Sequence, residues 1–195
     1  MDANDFAKVL MDEHRIEWQN PNSIFEQIGI GPGQRVADLA CGPGFFTMVL
    51  SELVGEKGLV YAVDVNEIMI HNLKKNRQTF EKNGSNVVIM QADISQSSEI
   101  PAKDVDVVFF ANILHDLEDK KGFFGEVRRI AKNSDTLFVD VDWHKRDMEM
   151  GPPIDRRLSE GESRKILAQE GFEIVHAINA GPHHYGLVAK SRNLP

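Results

Sequence analysis

Val36-Ala37-Asp38-Leu39-Ala40-Cys41-Gly42-Pro43-Gly44-Phe45-Phe46-Thr47 runs from a hydrophobic strand, through a turn stripped of side chains, into the first residues of a helix. Gly42 and Gly44 let a ligand lie against bare backbone, because glycine permits both unusual dihedrals and close approach. Gly42-x-Gly44-x-x-Thr47 lacks the third glycine of a dinucleotide fingerprint, where a branched residue spoils tight helix-strand packing. That argues against NAD. Asp38, just before the turn, suits a ligand with a cationic end better than a pyrophosphate, and S-adenosylmethionine is such a ligand.

Outward from this turn, apolar runs rich in Val, Ile and Phe fall at 34–40, 59–65, 86–91, 105–111 and 136–141, the pattern of strands buried on both faces. Helical stripes lie between them. Phe46, Val49, Leu50 and Leu53 recur at i, i+3, i+4 and i+7, Phe123, Val127, Ile130 and Ala131 make a second stripe, and Met69, Leu73 and Phe80 a weaker third. Alternating strand and helix predicts an α/β fold with right-handed crossovers. Upstream, one helix is expected over Phe6 to Trp18 and another over Pro21 to Ile28. Downstream, Gly151-Pro152-Pro153 makes 143–157 a long loop, Ser159-x-x-Glu162 reads as a capping box, and Gly171 ends that helix. Phe172 to Ile178 and Tyr185 to Ala189, split by Asn179-Ala180-Gly181-Pro182, form an antiparallel pair.

A chain of 195 residues that is 42% hydrophobic has material for one buried core, so one domain is expected over 1–195. The N-terminal 1–30 and the 143–158 loop are its candidate lid and substrate-side segment. Twenty-two basic against 30 acidic residues give a net charge of -8, which repels nucleic acid and anionic membrane. The single cysteine, Cys41, rules out an intrachain disulfide and a cysteine-cluster zinc site, and fits a reducing cytoplasm. The N-terminus lacks the order of a secretory signal, and no apolar run approaches a membrane span.

Open α/β sheets bind ligands beyond the carboxyl ends of their strands, so the residues there carry the chemistry. Asp64 ends the second strand, where a carboxylate takes both hydroxyls of a ribose or caps the next helix. Asp93 follows the third and either accepts from an adenine amino group, with Val65 and Ile94 flanking the ring, or closes a turn. Asp38 either contacts a methionine end, directly or through water, or is satisfied by loop amides. His115 follows the fourth strand and is either a general base or a capping histidine beside Asp116. Asp142 and His144 sit on the same rim. Arg156-Arg157 either bind an anionic substrate or form a solvated pair, while Trp18, Phe45, Phe46 and Trp143 either wall an apolar pocket or belong to the core. His183-His184 point to opposite faces of a strand, which makes shared metal ligation awkward, and no metal is expected.

Val36-Ala37-Asp38-x-x-Cys41-Gly42-Pro43-Gly44, Asp64, Ala92-Asp93 and Asp106-Val107-Val108 resemble the successive motifs of class I S-adenosylmethionine-dependent methyltransferases. Within that superfamily the chain is most similar to the small ubiquinone/menaquinone-biosynthesis type group. The similarity extends to Arg15-x-x-Trp18-Gln19-Asn20-Pro21, Asp142-Trp143-x-Lys145, Gly151-Pro152-Pro153 and Arg157-Leu158-Ser159. The resemblance implies a Rossmann-like seven-stranded sheet of order 3-2-1-4-5-7-6, with strand 7 antiparallel and helices on both faces. It assigns Ala40, Gly42 and Gly44 to the methionine portion of the donor, Asp64 to its ribose, and Asp93 with Ile94 to its adenine. Ala111 and Asn112 approach the amino group and sulfonium. Asn112-Ile113-Leu114-His115 lacks the Asn-Pro-Pro-aromatic signature of amino-methylating nucleic-acid enzymes, and arsenite-type cysteines are missing. The expectation is therefore methyl transfer to a small molecule, against two alternatives: an RNA methyltransferase and a non-catalytic S-adenosylmethionine-binding regulator. The acceptor and the oligomeric state stay open.

Overall fold

A computed structural model describes residues 2–80, 86–192 and 194, without the side chains of Thr79 and Phe80. The weak stripe is therefore testable at Met69 and Leu73, both buried, while the side chain of Phe80 lies outside the described residues. The elements run α1 (Ala3–Leu10), α2 (Arg15–Trp18), α3 (Pro21–Ile28), β1 (Arg35–Leu39), α4 (Phe45–Val54), β2 (Leu59–Asp64) and α5 (Glu67–Phe80). After these come β3 (Val87–Gln91), β4 (Val107–Ala111), α6 (Lys120–Ile130), β5 (Leu137–Trp143), α7 (Glu160–Gln169), β6 (Phe172–Asn179) and β7 (His184–Ser191).

The seven strands form one sheet in the order β3-β2-β1-β4-β5-β7-β6. β1 to β5 are parallel, and β7 runs antiparallel to both β5 and β6. Alternate residues of the central strands feed two cores. Val36, Val60, Val107 and Phe109 pack on α3, α4 and α5, whereas Ala37, Tyr61, Val108 and Phe110 pack on α6 and α7. That two-faced burial explains why these strands read as continuous apolar runs. Phe109 meets Phe25 and Phe46 edge-on, with ring centroids 5.1 and 4.9 Å apart. Truncating such a fully buried ring costs about 3–5 kcal/mol.

Local signals set the helix ends. Asn20 accepts from the backbone N–H of Asn22 and Ser23 to start α3, and Ser159 and Glu162 cap α7 reciprocally. The N-terminal segment departs from expectation. Phe6 to Trp18 is not one helix, because the chain turns at Met11 to His14, where the Asp12 carboxylate accepts from the His14 N–H and competes with the helix ladder. β5 also extends two residues further than its apolar run, through Asp142 and Trp143, so both belong to the sheet rather than the following loop. Among the described residues no helix is long and apolar enough to cross a membrane.

Candidate functional site

Parallel strands leave a crevice beyond their carboxyl ends where neighbouring crossovers diverge, and here β1 lies between β2 and β4. A cavity of about 720 Å³ opens at that point. Its floor is the turn after β1 with Asp64 on one side and the residues leaving β4 on the other. Above lie Phe6, Val9, Leu10, Arg15 and Trp18 from the N-terminal helices, facing Met150, Gly151, Pro152, Pro153 and Arg156 from the loop after β5.

The turn is built to expose backbone. Ala40 and Asn112, which follow the neighbouring strands β1 and β4, adopt left-handed φ values of 58° and 60° that non-glycine residues rarely tolerate. Gly44 has φ of 100°, and a Cβ there would sit 2.3 Å from a buried Leu73 methyl carbon, so any side chain at this position is strained and must displace Leu73. The Gly42 N–H donates to Asp64 Oδ2 at 2.8 Å and the Asn66 N–H to Oδ1 at 2.8 Å. One carboxylate thus ties the two strand ends together and keeps acceptor capacity for a ligand hydroxyl. Burial raises the pKa of Asp64 above 3.8, against the N–H groups of Asn66, Gly42 and Val65.

Asp38 is 2% exposed and accepts from Thr47 Oγ1 at 2.6 Å. Burial pushes its carboxyl up to about 7, against the Thr47 hydrogen bond, with the charge of Asp64 adding and that of Arg15 opposing. Beside it, Arg15 is a buried cation whose run with Trp18 and Gln19 carries part of the family resemblance without pointing to a role for it. Its place four residues before Gln19 and three before Trp18 was the available signal, since α2 presents one face to the cavity.

On the β4 side, His115 Nδ1 lies 2.8 and 3.0 Å from the two oxygens of Asp142, whose Oδ2 also accepts from the His115 N–H at 3.2 Å. The Trp143 N–H donates to Asp142 Oδ1 at 2.8 Å. In the neutral ring this favours the proton on Nδ1 and leaves the lone pair on Nε2, which lies 3.5 Å from Asp116 Oδ1. Burial works to lower the pKa of His115, but the hydrogen bond and charge of Asp142, then that of Asp116, outweigh it and hold the pKa above 6.5. Asp142 itself is fully buried behind the imidazole and does not line the cavity.

The expected residues therefore separate into two sets. Asp38, Ala40, Gly42, Asp64, Ala111, Asn112, His115, Trp18 and Trp143 all line the cavity, and Asn112 Oδ1 is buried there without a hydrogen-bond partner. Asp93, Ile94, Val65 and Gly44 do not, and Gly44 serves instead to shape the turn against Leu73. Asp93 accepts from the Ser95 N–H and from Gln96 Nε2, which is the turn role; Ile94 is packed in the core, and Val65 is 65% exposed. His144 leans on the ring of Tyr185 outside the cavity. Arg157 corrects a second expectation. Its guanidinium turns inward and donates to the carbonyls of Pro152, Met150, Arg146 and His144, so it holds the loop's shape while Arg156 lines the cavity and pairs with Asp116 at 2.7 Å. His184 stacks on Trp18 and lies against Trp143, and burial first of all takes its pKa down to about 2, so its ring is a neutral packing element.

Bare backbone at Ala40 to Gly42, acceptors at Asp38 and Asp64, and an orphaned amide oxygen at Asn112 fit a nucleoside with a cationic amino-acid end. Comparison with known proteins agrees. A family model described as a methyltransferase domain matches residues 30–178. A ubiquinone/menaquinone biosynthesis C-methyltransferase UbiE from Shewanella sediminis is 30% identical over 155 residues, covering 77% of this chain and 57% of the relative. Another from Shewanella sp. strain ANA-3 is 34% identical over 152 residues, with the same coverage. The chain thus spans somewhat over half the length of these curated relatives. The crystal structure of a SAM dependent methyltransferase from Aquifex aeolicus superposes with a TM-score of 0.90 at 30% identity, covering 97% of this chain and 98% of that one.

Proposed function

Since this chain belongs to the methyltransferase-domain family, with S-adenosylmethionine as its methyl donor, we propose that it methylates a small, flat, apolar molecule bearing an ionisable hydroxyl. The observation that carries this reading is the His115–Asp142 pair, set at the β4 exit where His115 lines a cavity that Phe6, Trp18, Phe45 and Trp143 also line. Aromatic walls bind aromatic faces, and a base beside them suits a phenol-like proton.

S-adenosylmethionine supplies a methyl group already activated on a sulfonium. The chain's own residues then have three tasks. The Gly42 turn, Asp38 and Asp64 orient the donor, the aromatic walls align the acceptor, and both lids exclude water. His115 Nε2 takes the hydroxyl proton. The freed electron pair makes the oxygen, or the ring carbon conjugated to it, nucleophilic, and a new bond to the methyl carbon forms as the carbon–sulfur bond breaks. With carbon as the acceptor atom, as the C-methyltransferase relatives suggest, the ring proton is lost to solvent, which restores aromaticity, and the oxygen recovers its proton from the His115 imidazolium. Asp142 stabilises the imidazolium that forms and positions its ring. In this reading residues 1–195 act as one cytoplasmic domain, α1 and α2 form one lid, and the 144–158 loop forms the other; nucleic acid and membrane are not its substrates.

The test is methyl transfer from isotopically labelled S-adenosylmethionine to a panel of phenols, hydroquinones, amines and thiols. Label appearing in a phenolic or hydroquinone product is the expected result. Tight donor binding with no turnover on the panel points instead to a regulator, and salt-sensitive labelling of RNA to a nucleic-acid enzyme.

A further inference from the structure

Arg15 is 6% exposed, lines the cavity, and has no carboxylate within ion-pairing distance among the described residues. A buried cation in that position needs an anion. Its Nε and Nη2 donate to Gln19 Oε1 at 3.0 and 2.8 Å, and its Nη1 donates to the Leu10 carbonyl at 2.8 Å, leaving two of its five N–H groups unused. The rings of Phe45, Phe46 and Trp18 lie 4.1, 5.2 and 5.8 Å from the guanidinium carbon and compensate part of the lost hydration. Burial takes the pKa of Arg15 down to about 10, with Asp38 pulling it back up, so the group stays charged at neutral pH.

Its position identifies the anion. Phe45 and Phe46 are the first residues after the glycine turn, and Asp38 is the penultimate residue of the strand before it. Arg15 and Asp38 feel one another's charge yet form no ion pair, so the two opposite charges flank the methionine end of the cavity with space left open. That arrangement complements a zwitterion. His115, Asp116 and Arg156, by contrast, stand on the β4 side, where the acceptor is placed.

We propose that Arg15, held by Gln19, receives the α-carboxylate of the methyl donor and that this contact fastens α1 and α2 over the cavity. The inference rests on the donor reading given above. The coupling follows from the Leu10 carbonyl: the same guanidinium that meets the carboxylate grips the end of α1, whose Phe6, Val9 and Leu10 roof the cavity. α1 otherwise packs on α5 through the buried Ala7. Asn72 also donates to Asn4 at 3.3 Å, and the side chains of Phe6 and Val9 are about half exposed. Completing the Arg15 shell therefore orders the roof as the donor arrives, ahead of the acceptor.

The experiment compares S-adenosylhomocysteine with its decarboxylated analogue, S-adenosyl-3-thiopropylamine, by titration calorimetry and by hydrogen exchange on the full chain. The wild type is expected to bind the carboxylate-bearing ligand about tenfold or more tightly, as befits a charge-assisted hydrogen bond. Only that ligand is expected to slow exchange in residues 3–18. Arg15→Met should bring the affinity ratio close to one, a comparison made within one variant and so insensitive to overall destabilisation. Gln19→Leu, which frees the guanidinium from its anchor, should shrink the ratio part-way. Equal affinity of the wild type for both ligands, or an undiminished ratio in R15M, overturns the inference and leaves the donor reading standing. Failure of the wild type to bind either ligand removes the donor reading itself.

Discussion

His115 and Asp142 face each other across the exits of adjacent parallel strands, with the imidazole Nδ1 between both carboxylate oxygens and the histidine side chain 3% exposed. Two strand ends therefore build the base, and neither β4 nor β5 alone supplies it. Because the partner carboxylate raises the pKa of His115 above 6.5, the neutral, proton-accepting form becomes populated only as pH rises through that elevated value. Methyl transfer should increase with pH across it. Asp142→Asn should shift the midpoint downward and lower kcat, while His115→Gln should cost about 10²–10³-fold in kcat and leave donor binding intact. A flat pH profile in the wild type contradicts the role.

The same pair makes a stability statement. Folded His115 binds its proton more tightly than the unfolded chain does, so its contribution is fully present below about 6.5 and is lost as pH rises through the raised value. Thermal melts of the wild type and His115→Gln should converge at alkaline pH.

Asp38 carries a cost that its function explains. Its folded pKa of about 7 lies above the ordinary 3.8, so stability falls as pH climbs between those values and stays lowered beyond them. Asp38→Asn keeps the shape and the Thr47 hydrogen bond, and should raise Tm by roughly 5 °C at pH 8, the gap closing toward pH 4. The same substitution should weaken S-adenosylmethionine and S-adenosylhomocysteine alike, by about fivefold, because both carry the α-ammonium that a carboxylate at the methionine end faces. Unchanged affinity for both ligands counts against a charge role for Asp38.

Arg157 and Arg156 should separate cleanly. Arg157 donates to four carbonyls of its own loop, at 2.6 to 3.3 Å, and Arg157→Ala should open 144–158 to proteolysis and lower stability by about 2–3 kcal/mol. Lysine cannot span four carbonyls and should not rescue it. Arg156, in an exposed pair with Asp116, should cost under about 1 kcal/mol when replaced by alanine.

How far the sequence carried the reading depended on the range of the forces involved. Strands buried on both faces announce themselves in composition, and the Ser159–Glu162 cap and the β6–β7 hairpin are local, so these features were legible. The break at Met11 to His14 was not, because one carboxylate–amide contact from Asp12 overrides a helical pattern that sequence spacing alone supports. Adjacent arginines cannot be told apart by sequence, since the loop's carbonyls, converging only on folding, select Arg157 for structure and leave Arg156 at the cavity. Asp93 was read with its turn role open, and the turn role is the one its hydrogen bonds display. Arg15 stayed hidden for a related reason: a charge on a short N-terminal helix looks solvated until tertiary packing closes Phe45 and Trp18 over it.

The claim beneath all of this is that the crevice between β1, β2 and β4 grips the donor's ribose through Asp64. Titrating S-adenosylhomocysteine into the wild type and into Asp64→Ala measures it directly. Saturable binding by the wild type, weakened about tenfold or more in the variant with its fold intact by circular dichroism, is the expected result. Unchanged affinity in Asp64→Ala, or no binding by the wild type, contradicts it.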